Sequence, residues 1–412
     1  MEWPVVGPQG REVPDLRRDL RVVAIFETAG FKGSVPVTGG AARTIGLNRH
    51  LSNHGCDVTL VLCDLNPASN PSCDWPIKVE YVSPDDVYSA SEEFCELIAS
   101  LFPDVVVMSS TPLIVRYGRT LAERLKCRLV YDMFDNEHQL HIALGDDERT
   151  CEQRRQLQAA AISLADAVLV QTAEDLAYAS TFRANDIYVV PCGVELSAPK
   201  LAEPYTQAGS VFVGNLYYEL NAVALKFILS SLAGDLVAEG RWVDVYGRIP
   251  PNLDVYDVPG VHIHGQVPSI GDVLRKAEVG LAPLASGGGM KLKVLEYMAA
   301  SLPIIGPPNA FVGIPEPERF AVVTDDRMRN MARELLELLR DPARRLDLGV
   351  SGRALVERSY SWSSIAKAAS EAYDKVRAAP IGRRSSVKLS PDVVNLASAP
   401  PRWLTEWRRQ RE

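Results

Sequence analysis

Residues 279–306 read VGLAPLASGGGMKLKVLEYMAASLPIIG. The apolar run VGLAPL at 279–284 is followed by three glycines, a helical pattern over 291–300 and a second apolar run, PIIG at 303–306. Strand, glycine turn, helix, strand is the parallel crossover unit of an α/β sheet. Glycine lets backbone approach a ligand closely, and a helix start offers unpaired N–H groups that suit phosphate. Lys291 and Lys293 add positive charge at that point. Glu296, one turn in, is placed to accept two hydrogen bonds from a vicinal diol such as a ribose. Read one at a time, the glycines suit an ordinary turn before an amphipathic helix, and Glu296 an ordinary solvated helix residue. The G-x-x-x-x-G-K-[ST] spacing of a phosphate-binding P-loop is missing.

Outward from this stretch the alternation repeats. Upstream, SVFVGN (210–215), a helix over 221–233, RWVDVYG (241–247), VHIHGQV (261–267) and a helix over 270–277 complete a domain expected over 210–360. An earlier series spans 21–195. It comprises RVVAIF (21–26), a loop over 27–40 ending in Gly39 and Gly40, a helix over 41–54, DVTLVLC (57–63), a helix over 91–101, DVVVMSS (104–110), a helix over 115–126, RLVYDMF (128–134), helices over 147–165, ADAVLVQT (165–172) and NDIYVVP (185–191). Helices are also expected over 327–340 and 361–377. The pattern predicts an α/β protein of two Rossmann-like, doubly wound parallel-sheet domains in tandem, with a ligand cleft between them. An N-terminal extension (1–20), a linker (193–209), a closing helix (361–378) and a basic, Pro-containing extension (379–412) with Trp403 and Trp407 complete the division. That last segment reads as an extension packed on its own protein or partly disordered, with a weak membrane contact as the alternative.

Composition narrows the function. The 412 residues are 47% hydrophobic and 23% charged, with a net charge of -8, which speaks against a broad nucleic-acid surface. Cys56, Cys63, Cys73, Cys95, Cys127, Cys151 and Cys192 are odd in number and widely spaced, so reduced thiols are expected rather than disulfides, and six histidines suggest no metal site. Residues 1–20 are polar, and no apolar run reaches the roughly 18–20 residues that span a bilayer, so the chain is expected to work in the cytoplasm.

The stretch 279–314 resembles the donor-binding segment of the retaining glycosyltransferases of family 4, which have the GT-B fold. Other pieces fall in that family's order: TGGAARTIGLNRHLSNHGCDVTLV (38–61), ADAVLVQTAEDL (165–176), VVPCGVE (189–195), FVGNLYYELN (212–221), VYGRIPPNL (245–253) and SYSWSSIAKAASEAYDKV (359–376). The resemblance covers about residues 20–378. It implies transfer of a sugar from a nucleoside diphosphate of the UDP, GDP or dTDP type, with retention and with no resident cofactor. Glu296 then matches the ribose-binding glutamate. The peptide N–H groups of Gly289, Met290 and Lys291 would face the diphosphate, Lys291 or Lys293 would neutralise it, and Leu295 belongs to the same donor-binding run. Gly39 and Gly40 would approach the donor from the first domain, and Gly214 and Asn215 from the second.

Three positions depart from the family pattern. Gly288 stands where many members carry a second glutamate. Asn215 stands where arginine is expected, leaving Arg248 after the next strand as the substitute, or as a surface arginine on a turn. Phe134, flanked by Asp132 and Asp135, stands where a histidine is common. In the adjoining DNEH, Asp135 is the candidate for catalysis and Glu137 and His138 for acceptor binding; helix capping by Asp135 or Asn136 is the other reading. A diphosphate leaving group can be stabilised by lysine, arginine and helix-end amides without a metal, and no D-x-D lies at a strand end. Two other activities compete: a sugar-nucleotide 2-epimerase on the same fold, and a non-catalytic nucleotide-sugar binder. A nicotinamide dehydrogenase is disfavoured, since Gly39, Gly40 and Gly46 lack G-x-G-x-x-G spacing. The acceptor, a small molecule or saccharide, is expected to be set by loops 27–38, 64–76 and 134–150.

Overall fold

The computed structural model describes residues 19–26, 31–32, 35–36, 38–63, 75–182, 186–196, 209–250, 258–379, 389–400 and 405. Expectations about the N-terminal extension, Cys73, most of the loops 27–38 and 64–76, most of the linker, and Trp403 and Trp407 fall outside the described residues. The chain divides into two compact units, one of residues 1–138, 148–190 and 366–412, the other of 139–147 and 191–365.

The first unit is built on β1 (Leu20–Phe26), β4 (Cys56–Cys63), β5 (Lys78–Val82), β6 (Val105–Met108), β7 (Arg128–Asp132), β8 (Ala167–Val170) and β9 (Asp186–Val189). A short antiparallel pair, β2 (Phe31–Lys32) and β3 (Val35–Pro36), lies outside this sheet. The seven strands run in the order β5-β4-β1-β6-β7-β8-β9, all parallel. Val22, Val23, Val105, Val106, Leu129, Val130, Leu169 and Val170 are almost wholly buried, which is why the central strands read as unbroken apolar runs. The helix Pro391–Ser398 packs Val393 and Ala397 onto Leu157 and Ala160 of the helix Glu148–Leu164, so this part of the C-terminal extension belongs to the first unit.

The second unit carries β10 (Ser210–Val213), β11 (Val243–Tyr246), β12 (Val261–Gly265), β13 (Gly280–Leu281), β14 (Ile304–Gly306) and β15 (Ala321–Val323), in the order β12-β11-β10-β13-β14-β15 and again parallel. Val194 exchanges backbone hydrogen bonds with Tyr360 and Trp362, and any side chain at Gly193 would strike the Trp362 indole. The helix Trp362–Ala378 contributes its first residues to this unit and the rest to the first.

Several boundaries differ from expectation for local reasons. The helix expected over 41–54 begins at Gly39, because the Thr38 hydroxyl accepts from the Ala41 N–H, and ends at Leu51. VGLAPL yields only the two-residue β13, since Pro283 has no N–H to give and Leu284 turns back onto the Ala282 carbonyl. The helix Pro342–Ser359, capped by Asp341, and the strands β5 and β15 were not anticipated. The expectation that no run is long and apolar enough for a membrane is corrected. The continuous helix Glu219–Ala238 has 20 residues and a window of mean hydropathy 1.5. Its Leu220, Ala224, Leu225, Ile228, Leu232, Ala233 and Leu236 are buried in the second unit at helical spacing, so we read it as a core helix.

Candidate functional site

In the second unit the chain runs from β10 outward to β11 and β12, then crosses to β13 on the other side of β10. The switch point therefore lies between β10 and β13, and the crevice beyond their carboxyl ends is where such sheets bind ligands. Two loops flank it: 214–218 after β10 and 282–291 after β13. Gly214, Asn215, Gly289, Met290 and Lys291 stand on these loops, and Lys293, Leu295 and Glu296 on the helix that follows the second.

The glycine loop is wrapped around Lys291. The Lys291 ammonium donates to the carbonyls of Gly287 (3.0 Å), Gly288 (2.7 Å) and Gly289 (2.8 Å), which uses all three of its N–H bonds. All described peptide bonds are trans, so where these carbonyls converge on Nζ, the N–H groups of Gly288, Gly289 and Met290 point the opposite way. Gly287 (φ 104°) and Gly289 (φ 64°) take backbone conformations that side chains resist, and a Cβ on Gly287 would lie 2.6 Å from Leu220. The helix Leu292–Ala299 follows, with no side-chain cap and no acidic residue in its first turn. The result is a row of similarly directed amides at a helix start, backed by a fixed positive charge, which is an anion cradle. Lys291 was expected beside the anion; the structure makes it the post around which the cradle is bent.

Lys293 and Glu296 sit one turn apart on that helix, each half-buried. The Lys293 ammonium donates to Asn221 Oδ1 (2.7 Å) and lies 4.2 Å from the Phe212 ring centre. Burial pulls the Lys293 ammonium below its ordinary range and pushes the Glu296 carboxyl above its own, while the attraction between the two opposes both shifts. Leu295, between them, is fully buried, so its side chain is withdrawn from any ligand and acts as core. Tyr297 is the stitch beneath the loops. Its hydroxyl accepts from the Val213 N–H (2.9 Å) and donates to the Leu281 carbonyl (3.3 Å), joining the ends of β10 and β13. Gly280 is required there, since its Cβ would come within 2.5 Å of the Tyr297 ring.

The loop after β10 is equally constrained. Asn221 Nδ2 donates to the Asn215 carbonyl (2.9 Å), so the Asn221 amide bridges this loop to Lys293. Asn215 Oδ1 accepts from the Tyr217 N–H, a local turn in place of the expected arginine's reach. Gly214 lies against the Asn221 side chain, and Gly247 (φ 145°) lies so close to the Gly214 carbonyl that a Cβ would sit 1.8 Å from it. Among the described residues Arg248 makes no ion pair; its guanidinium lies over the Tyr217 ring at 4.8 Å, and its carbonyl accepts from Leu216 N–H.

In the first unit the structure separates support from candidate. Gly39 and Gly40 form the first turn of their helix, and a Cβ on Gly40 would lie 2.8 Å from the Phe134 ring. Arg43, one turn further, is buried and binds Asp132 by Nε to both oxygens (3.1 Å each) and by Nη2 to Oδ1 (2.7 Å). Asp132 is thereby committed to pinning this helix to the end of β7. Gln158, fully buried, donates to Tyr131 Oη (3.1 Å) and to the Asp135 carbonyl (2.7 Å) and accepts from Glu137 N–H (3.0 Å). Gln171 donates to the Phe134 carbonyl. The segment from Phe134 to Glu137 is therefore held by two glutamines, and Glu137 itself accepts from the Thr111 hydroxyl (3.0 Å). Asp135 and His138 are partly exposed beside it. Asn221, Tyr297, Gln158, Gln171 and the Arg43–Asp132 pair escaped sequence reading because each acts on a partner distant in the chain.

Residues 208–341, which contain both loops of the crevice, match the family model described as Glycosyl transferases group 1. No curated protein matches the chain. Among solved structures, the chain is similar to sucrose-phosphate synthase (tll1590) from Thermosynechococcus elongatus, at 18% identity and a TM-score of 0.64, over 87% of this chain and 99% of that one. It is similar to Anabaena Alr3699/HepE in complex with UDP-glucose, at 11% identity and 0.62, over 86% and 100%. It is also similar to WaaG, a glycosyltransferase involved in lipopolysaccharide biosynthesis, at 14% identity and 0.61, over 87% and 100%. At such identities the likeness is one of fold, and the fold is GT-B.

Proposed function

We propose that the protein is a glycosyltransferase that moves a sugar from a UDP-sugar to an acceptor hydroxyl with retention at the anomeric carbon. The observation that carries this reading is the Lys291-centred glycine loop at the switch point, with its amides aligned at an uncapped helix start one turn before Glu296. The match of residues 208–341 to a glycosyltransferase model over this same crevice supports it. UDP is the favoured base carrier because the related fold of HepE is known in complex with UDP and with UDP-glucose.

In this reading the amides of Gly288, Gly289 and Met290 receive the diphosphate, with Lys293 and Arg248 adding charge, and Glu296 accepts the ribose diol. The bond from the anomeric carbon to the diphosphate breaks, the acceptor oxygen forms the new bond, and its proton leaves with the UDP. Charge developing on the leaving diphosphate meets preorganised donors, so the transfer needs no metal. Retention rests on the resemblance to family 4. Asp135, Glu137 and His138 are proposed to face the acceptor or the sugar, and the reaction is proposed to run in the cytoplasm.

Incubating the protein with UDP-glucose, with and without a panel of hydroxyl acceptors, and following the anomeric protons by NMR tests this directly. Acceptor-dependent release of UDP with an α-linked product is expected. An epimerised donor formed without acceptor would instead identify an epimerase, and UDP-glucose bound but unchanged with every acceptor would identify a binding protein.

A further inference from the structure

Two imidazoles and a carboxylate meet on the edge of the six-stranded sheet. Along β11, Val243 and Val245 are buried while Asp244 and Tyr246 are partly exposed; along β12, Val261 is buried while His262 and His264 are exposed. That alternation marks a face left open to solvent, unlike the two-sided burial of the central strands. In the parallel register Asp244 stands opposite His262, and His264 follows two residues on along the same face. A register shift at Val245/Tyr246 then pairs Tyr246 with Gly265 and brings the His264 ring onto the Tyr246 ring, stacked at 4.5 Å and 9°.

The three side chains are aimed at one point. Asp244 Oδ1 lies 2.6 Å from His264 Nε2 and 3.4 Å from His262 Nδ1, and the three ligand atoms lie within 4.8 Å of one another. The carboxylate is oriented from behind: the Trp242 indole N–H donates to its other oxygen, Oδ2, at 3.0 Å. An outer partner on the carboxylate and a ring stacked on one imidazole are the supports that fix metal ligands in orientation. With metal–ligand bonds of about 2.0–2.2 Å, small rotations of the two exposed rings would bring all three atoms onto one ion.

We propose that Asp244, His262 and His264 form a binding site for a divalent transition-metal ion of the zinc type, one per chain, with water completing the coordination. Two nitrogens and one oxygen suit zinc and its neighbours, whereas calcium and magnesium call for oxygen donors alone. On binding, the hydrogen bond between His264 Nε2 and Asp244 is replaced by two bonds to the ion. A neutral His264 then carries its proton on Nδ1, and any imidazolium proton is released to solvent. The ion would clamp the edge strand β12 onto β11, the strand that leads into Gly247 and Arg248. Six histidines suggested no metal site, because the composition does not show that strand pairing sets Asp244 opposite His262, 18 residues on in the chain.

The test uses the full chain, stripped with a chelator, dialysed and titrated with zinc chloride against a chromophoric chelator, with cobalt(II) absorption as a second readout. One saturable ion per chain is expected, with d–d bands of a four- or five-coordinate nitrogen–oxygen site. His262→Ala/His264→Ala and Asp244→Asn should each weaken zinc by at least about tenfold, since even outer-partner losses cost that much. The imidazoles are 54% and 41% exposed, so the metal-free unfolding midpoint of the histidine variants should lie close to that of the parent; His264→Gln serves as the milder second variant. No saturable uptake, or uptake unchanged in the double-histidine variant, would overturn the proposal. Sugar transfer by that variant should persist, which separates this site from the proposed reaction.

Discussion

Tyr297→Phe removes one oxygen atom and keeps the ring. That oxygen accepts from the Val213 N–H at 2.9 Å and donates to the Leu281 carbonyl at 3.3 Å, in a residue with 0% exposure. A hydrogen bond contributes a net ~0.5–1.5 kcal/mol, and a buried backbone group left unsatisfied costs about 1–3 kcal/mol. The longer Leu281 bond belongs at the low end, so the two together amount to about 2 kcal/mol. The ring volume is unchanged, so no cavity contribution enters. For a domain of this size about 2–4 °C of Tm is lost per kcal/mol, which gives a fall of about 4–8 °C. Scanning calorimetry, with urea unfolding followed by near-ultraviolet circular dichroism, would measure it. Gly280→Ala, which forces a methyl to within 2.5 Å of the same ring, should cost a similar ~1–3 kcal/mol and should not add fully to Tyr297→Phe. A loss below about 0.5 kcal/mol for Tyr297→Phe would refute the view that this hydroxyl joins β10 to β13.

Other expected outcomes follow from the same contacts. Lys291→Met should release the three glycine carbonyls, so hydrogen exchange across 287–290 accelerates and nucleotide affinity drops, while secondary structure by circular dichroism stays the same. Arg43→Met leaves Asp132 buried without its partner and should cost about 3–5 kcal/mol in urea unfolding; Arg43→Met/Asp132→Leu should recover much of that loss. The Glu296 carboxyl, raised from 4.5 to about 7 in the ligand-free fold, holds its proton more tightly folded than unfolded. Its contribution to stability is thus complete below pH 4.5 and is lost as pH rises toward 7. Glu296→Gln should gain on the parent in urea midpoint across that interval and no further above it, whereas a pH-independent difference would contradict the burial argument.

Much of the architecture was legible because parallel strands buried on both faces leave apolar runs of β-branched residues, and the turns between them leave glycines. RVVAIF, DVTLVLC and SVFVGN each became a strand of a parallel sheet. Local rules also explain where boundaries moved, as Thr38 drew a helix start back to Gly39 and Pro283 cut β13 short. The candidate crevice was legible as a segment but not as a network. Lys293 meets Asn221 across 72 residues and Arg43 meets Asp132 across 89, and no spacing rule connects such partners. Lys291 shows the same limit in one residue. Its charge was readable, but its engagement with the glycine carbonyls depends on the fold of the loop.

In the proposed reading the crevice at 282–296 binds a nucleoside diphosphate through the glycine-loop amides and Glu296. Titrating UDP into the full chain and into Glu296→Ala by isothermal calorimetry tests it most directly. One UDP per chain is expected for the parent and, for the variant, an affinity lower by roughly tenfold or more, as loss of a charge-assisted pair of hydrogen bonds implies. No UDP binding by the parent, or equal binding by the two proteins, would contradict it.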